Sequence, residues 1–299
     1  LKSTLVRAAM AITFLAPAMA VAGAPPAPLT PIDCFTPLAS PQLWKPVQAP
    51  TLDTAFFRQL PPGFAMPTDH LSRHLMREYG AILVSRGADV RPVTVLFADE
   101  AAVTAWQATV PMKTAIVGGI AVTLQSRAME ALQAAIKEAS AAKLAITPAG
   151  ADAARRNYAR TIINWKSRVD GGLAHWRAAK KLDQAKVDAI TRLSPAAQIP
   201  RILALEEQGL CFATLRDKTI LRSVAAPGSS QHVFMLALDV KQHADPRVRA
   251  ILARHGWFQT VVTDAPHFTY LGTDSASVSL LGLKRVTAAK RDYWVPDIN

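Results

Sequence analysis

Ala226-Pro227-Gly228-Ser229-Ser230-Gln231-His232, followed by Leu236-Ala237-Leu238-Asp239 and later by Asp264-Ala265-Pro266-His267-Phe268-Thr269-Tyr270-Leu271-Gly272, is the stretch on which the reading of the chain turns. Two imidazoles and a carboxylate can take three corners of a tetrahedral metal site and leave the fourth open to water, as in catalytic zinc centres. His232 and Asp239 are seven residues apart, an odd offset, so on one regular strand their side chains would point to opposite faces. The chain is therefore expected to bend between them, with His232 in the loop after Pro227-Gly228 and Asp239 on a strand Leu236–Val240. Asp245-Pro246 then supplies the cap and first-turn proline of a helix whose stripe is Val248, Ile251 and Leu252, closed by Gly256. A strand Trp257–Val262, a turn at Thr263-Asp264 and a last strand Pro266–Leu271 bring His267 back beside the first two residues.

Working outward, 50% hydrophobic and 19% charged residues in a chain of 299 describe a folded protein with ample core material. A formal net charge of +12 favours anionic partners, whether nucleic acid, anionic lipid or an acidic cell-wall polymer. The six tryptophans are scattered from Trp44 to Trp294, which suits core packing better than a base-stacking platform, so nucleic acid is not an expected partner. Lys2 and Arg7 precede the apolar run Ala8–Ala16, and small residues at Ala18-Met19-Ala20 or Ala22-Gly23-Ala24 follow, so residues 1–24 read as a secretory signal peptide. No other run reaches the about 20 apolar residues of a membrane span, so the expectation is an exported monomer, periplasmic or extracellular, with no transmembrane anchor after cleavage. In an oxidising compartment Cys34 and Cys211 either form one disulfide or remain two separate buried thiols, and the sequence leaves both open.

The rest divides by composition. Residues 25–67 are rich in proline and read as an extended segment wrapped on the body, 68–123 as a small mixed region, 124–285 as the domain holding the candidate site, and 286–299 as a C-terminal tail. In the mixed region Asp69 caps a helix ending at Tyr79, Glu100–Val110 is a second helix, and Ala81–Ser85, Val93–Phe97 and Ile116–Thr123 are strands. His70, His74 and Glu78 form an i,i+4 stripe. It lacks the glutamate that a zinc-binding helix carries straight after its first histidine, so it reads as a solvated face. From Leu124 the pattern is helical, with a strand Lys143–Thr147 and then a helix Asp152–Val169 whose basic face holds Arg155, Arg156, Arg160 and Lys166. Gly171-Gly172 is expected to break that helix. Helical pieces Leu173–Leu182, Asp183–Leu193 and Ala196–Gln208 follow, and a strand pair Leu210–Thr214 and Thr219–Ser223 leads back to the opening stretch. The fold class expected is α+β, a small antiparallel sheet with flanking helices around the metal site, preceded by the small mixed region.

The opening stretch resembles the zinc D-alanyl-D-alanine carboxypeptidases of the hedgehog/DD-peptidase type. Their metal-binding segment runs Pro-Gly-x-Ser-Glu-His-x-x-Gly-Leu-Ala-x-Asp, and their closing segment Trp-His-Phe-Arg-Tyr-Val-Gly matches Pro266–Gly272. The resemblance covers Ala226–Gly272 and extends more loosely back to Leu124. It implies a hedgehog/DD-peptidase-like fold, Zn2+ held by His232, Asp239 and His267, and Asp264 as general base where the family has a glutamate three positions before the last histidine. Met235 stands for the family's glycine, where a bend cannot use a positive φ cheaply, and Pro266 stands for its tryptophan. The family's arginine loop Ser-Gly-Tyr-Arg-Ser has no counterpart. Arg155, Arg156 and Arg222 are the candidates for holding a substrate carboxylate, and Ser230 and Tyr270 complete the substrate-binding set. The function implied is an exported zinc metallopeptidase acting on peptidoglycan stem peptides as a D-Ala-D-Ala carboxypeptidase. A zinc-containing peptidoglycan-binding module with weakened catalysis, and a peptidoglycan endopeptidase, stand as alternatives.

Overall fold

Short polar side chains start most of the helices. Asp69, Asp99, Asn157, Asp183, Ser194 and Asp245 each accept a backbone N–H from the first turn, which satisfies donors that the helix itself leaves open. In the computed structural model, which describes Cys34 and residues 54–298, the chain runs α1 (Ala55–Arg58), α2 (His70–Tyr79), α3 (Glu100–Ala108), β1 (Met112–Val117), β2 (Ile120–Gln125), α4 (Ser126–Ala141), α5 (Tyr158–Ala178), α6 (Gln184–Thr191) and α7 (Pro195–Glu206). It continues through β3 (Ala237–Asp239), α8 (Pro246–Arg254), β4 (Trp257–Phe258), β5 (His267–Tyr270), β6 (Leu283–Ala288) and β7 (Arg291–Pro296), with 3-10 turns at Gly80–Val84, Ile220–Arg222, Gln231–Phe234 and Val278–Leu281. The architecture is mixed α+β with small antiparallel sheets: a three-stranded sheet ordered β3-β5-β4 and the hairpins β1-β2 and β6-β7.

The signal-peptide reading of residues 1–24 and most of the proline-rich segment lie outside the described residues. Cys34 and Cys211 form a disulfide with Cα atoms 5.3 Å apart, both fully buried, which decides between the two cysteine readings. A disulfide is what an oxidising compartment permits. Among the described residues no helix is long and apolar enough to cross a membrane.

Several local expectations are corrected. Ala81–Ser85 is a buried 3-10 turn and Val93–Phe97 is irregular, because apolar content reports burial and not pairing. Ile116–Thr123 is a hairpin, not one strand: Gly118 and Gly119 take φ of +56° and +82° between Val117 and its partner Ile120, the left-handed pair that a two-residue turn requires. Lys143–Thr147 is no strand, nor are Leu210–Thr214 and Thr219–Ser223. The C-terminal segment from residue 286, expected as a tail, lies in the β6-β7 hairpin, where Tyr293 and Val295 are buried with Val262.

Asp152 does not cap α5; Asn157 does. Residues 153–156 are drawn into tertiary bonds instead, with the Ala153 carbonyl accepting Asp239 N–H at 2.8 Å and Arg156 N–H reaching the His232 carbonyl at 3.3 Å. Gly171 and Gly172 do not break α5 either. Phe212 lies so close that a Cβ on Gly172 would come within 2.2 Å of its Cδ1, so the glycine is there for close packing.

Two apolar clusters hold the body. One packs α4 and α8 against the β3-β5-β4 sheet through Leu132, Leu238, Leu252, Trp257 and Phe268. The other packs α5 against α7 and the 207–224 loops through Trp165, Leu173, Ile202 and Phe212. Each fully buried large side chain contributes about 1.5–3 kcal/mol by leaving water. Leu221 and Val261 of the second cluster line the cavity described next.

The two glycines of α5 predict opposite outcomes. Gly172→Ala should destabilise the protein by roughly 1–3 kcal/mol in urea titration, through overpacking against Phe212. Gly171→Ala meets only the end of the Arg216 side chain, at 3.2 Å, and should be neutral or gain up to about 1 kcal/mol of helix propensity.

Candidate metal centre

Antiparallel pairing places Asp239 of β3 directly opposite His267 of β5, so their side chains rise from the same face. His232 reaches them from the 3-10 turn Gln231–Phe234. The bend that the odd offset demanded falls on Met235, which takes the left-handed conformation at φ +55°, ψ +32° although it is not glycine. Such a conformation costs on the order of 1 kcal/mol for a side chain of this kind, and burial of Met235 in the core offsets it.

Three atoms converge. His232 Nε2 lies 3.1 Å from His267 Nδ1 and 3.3 Å from Asp239 Oδ1, and His267 Nδ1 lies 3.2 Å from the same oxygen. The outward-facing atoms fix the protons. His232 Nδ1–H donates to the Ala154 carbonyl at 2.8 Å, and His267 Nε2–H donates to Gln231 Oε1 at 2.8 Å. The Gln231 amide is held in that orientation because its Nε2 donates to the Tyr79 carbonyl at 2.8 Å, while Thr260 and Thr269 hydroxyls donate to its oxygen. Arg156 Nη2 donates to Asp239 Oδ2 at 2.8 Å, which leaves Oδ1 to face the imidazoles. In the neutral form of each ring the inward nitrogen carries a lone pair, next to a carboxylate oxygen. Three acceptors at this spacing repel one another unless a cation lies among them, so the group can hold a metal ion. Burial first, and the Arg156 charge second, push the His232 pKa down to about 4, which keeps the ring neutral and able to ligate at ordinary pH.

A cavity of about 270 Å³ opens beside the three atoms, with the partly buried Asp264 in its wall. Burial raises the Asp264 pKa; His267 works against that rise and the Asp239 charge adds to it. A carboxyl of raised pKa beside a metal-binding group has the properties of a general base or acid.

The structure sorts the expected substrate-binding residues. Ser230 and Arg156 line the cavity, although Arg156 is already engaged by Asp239 and, through Nε at 3.0 Å, by the Asp152 carbonyl. Arg155 lies outside it, donating to Gln107 Oε1 at 2.8 Å. Arg222 points into the interior, where it pairs with Glu78 at 3.4 Å. Tyr270 stands three residues after His267 on β5, so it faces the other way and packs on Trp257, with ring centroids 5.3 Å apart. The His70, His74 and Glu78 stripe is not the solvated face expected: His70 is exposed, but His74 and Glu78 are buried. Gln231 and the α5 residues Thr161, Asn164 and Arg168 were not singled out from sequence, yet they serve or line the site. The i, i+3, i+7 spacing of the last three was the available signal.

Comparison with protein-family models, with curated proteins and with solved structures found no match for the chain.

Two outcomes follow from these contacts. Gln231→Leu should weaken binding of a divalent metal by about 10- to 100-fold in chelator competition, whereas Gln231→Glu, which keeps the acceptor for His267, should lose much less. Burial pushes the His74 pKa down to about 4 from an ordinary 6.5. The folded state thus binds fewer protons than the unfolded one between those values, so His74's contribution is intact above pH 6.5 and is lost as pH falls towards 4. It amounts to up to about 3 kcal/mol. Denaturation at stepped pH should show this slope, and His74→Gln should reduce it.

Proposed function

We propose that the protein is an exported zinc metallopeptidase of the hedgehog/DD-peptidase type that acts on peptidoglycan stem peptides, most directly as a D-Ala-D-Ala carboxypeptidase. The observation that supports this reading is the convergence of His232 Nε2, Asp239 Oδ1 and His267 Nδ1, all within 3.3 Å of one another, at the wall of a cavity that also holds Asp264. Ligands about 2.0–2.1 Å from a tetrahedral zinc lie about 3.3–3.4 Å from each other, close to these separations, and two histidines with one carboxylate are a zinc donor set. The three residues and their order along the chain are also those of the resemblance.

Bound zinc supplies Lewis acidity, making water a nucleophile near neutral pH and polarising a carbonyl. The chain's own residues do the rest. Arg156 holds Asp239 so that one carboxylate oxygen faces inward, and Ala154 and Gln231 fix the tautomers of His232 and His267. Asp264 takes a proton from the attacking water and delivers it to the leaving amine nitrogen, the work for which a raised pKa suits it. Being one methylene shorter than glutamate, it needs to stand close to the water, and its place in the wall of the same cavity supports that role. The disulfide agrees with export, and a net charge of +12 suits work on an anionic envelope polymer.

Metal analysis of purified protein, combined with mass spectrometry of muropeptides before and after incubation, tests the reading. About one zinc per chain and release of D-Ala are expected. Asp264→Asn should keep the zinc and lose about 10²- to 10⁴-fold in kcat, and His267→Ala should lose the zinc. Stoichiometric zinc with no cleavage of any stem peptide would leave a binding module in its place, and cleavage inside the stem would make the enzyme an endopeptidase.

A further inference from the structure

The cavity extends along α5, and its far end has different chemistry from the metal centre. Thr161, Asn164 and Arg168 lie on one face of the helix and line the cavity together with Ser223. Arg168 donates through Nε to Ser223 Oγ at 2.9 Å and through Nη1 to Ser167 Oγ at 3.0 Å. These hydroxyls aim the guanidinium without neutralising it, and among the described residues no carboxylate forms an ion pair with it. Arg216 lies alongside: its Nη2 is 3.2 Å from the Cβ position of Gly171, one turn beyond Arg168, and its guanidinium is held by the Phe212 and Ala213 carbonyls. Burial, and then the charge of Arg168, lowers the Arg216 pKa. Arg155 and Arg222 are engaged outside the cavity and Arg156, in its wall, is paired with Asp239, so Arg168 is the cavity arginine that forms no ion pair with a carboxylate among the described residues.

The helix sets the spacing. Ala154 and Arg156, which hold His232 and Asp239, lie just before the first turn of α5. Arg168 is ten residues beyond Tyr158 and so about 15 Å along the axis, with a side chain that leans about 5 Å back towards the helix start. The remaining distance of about 10 Å matches about three residues of extended peptide.

We propose that Arg168, with Asn164 and Ser223 beside it, forms a carboxylate subsite. The ligand of this cavity is then a peptide that carries an anionic group two or three residues from the bond held at the metal centre, and not only the carboxylate adjoining that bond. The identification of the bond rests on the peptidase reading above; the subsite itself rests on the cavity and its unneutralised arginine. A guanidinium meets a carboxylate through paired N–H donors, which gives both affinity and register along the cavity.

The test uses zinc-loaded protein and a set of D-Ala-D-Ala-terminated peptides in which a single internal carboxylate stands two, three or five residues before the scissile bond, each paired with its carboxamide. Wild type should prefer carboxylate over amide by about tenfold or more in kcat/KM at a spacing of two or three, mainly through KM, and by little at five. Arg168→Gln should lose that preference, and Arg168→Lys should keep part of it. Ser223→Ala, which releases the Arg168 Nε contact and a longer one to Thr214 Oγ1, should show a smaller loss, and equal melting temperatures would exclude misfolding as the cause. Calorimetric binding of the same peptides to Asp264→Asn separates the two ideas. Turnover with no carboxylate preference at any spacing overturns the subsite and leaves the peptidase. Carboxylate-dependent binding that is lost in Asp264→Asn carrying Arg168→Gln, without turnover in wild type, keeps the subsite and overturns the peptidase. A preference unchanged by Arg168→Gln also overturns the subsite.

Discussion

Two imidazole nitrogens and a carboxylate oxygen converge in the middle of this protein, and the bonds around them keep them so. A histidine pair beside a carboxylate would relax by sharing a proton or turning a ring. Here His232 is held by the Ala154 carbonyl, His267 by the Gln231 amide and Asp239 by the Arg156 guanidinium, so each outer bond fixes which atom faces inward. The energetic cost of holding like-signed acceptors 3.1–3.3 Å apart is what a cation offsets.

The surrounding fold follows from that constraint. The β3-β5 register sets Asp239 opposite His267, and Met235 accepts a left-handed backbone so that His232 can come round to them. The segment before α5 gives up its helical start to supply the Ala154 carbonyl and the Arg156 side chain. That is why the helix begins at Tyr158 and not after Asp152. Glycine at 172 lets Phe212 press against α5 and seats that helix against the second apolar cluster. The cavity is what remains between a sheet committed to the metal group and a helix committed to its own core.

The two ends of the cavity are complementary in kind. At one end a raised-pKa carboxyl stands beside a metal-binding group, and at the other a guanidinium is aimed by hydroxyls. The group that can bind a metal ion and the guanidinium aimed by hydroxyls are thus carried by different elements, the sheet and α5, whose separation is a matter of helical rise.

Much of the candidate site was legible in the sequence. The histidines, Asp239 and Asp264 occur in a local pattern, and the helix caps at Asp69 and Asp245 are set by side chains that bond their own neighbourhood. Alternation along β5 could equally have shown Tyr270 facing away from His267. Other features belong to the tertiary structure alone. Whether Cys34 meets Cys211, whether Arg222 faces a substrate or Glu78, and whether Gly172 breaks a helix or admits a phenylalanine are decided by partners far away in the chain. Local sequence specifies which groups can ligate, cap or turn, because those properties depend on a residue and its near neighbours. Which arginine is left free to meet an anion depends on what every other arginine has already found, and only the packed chain settles that.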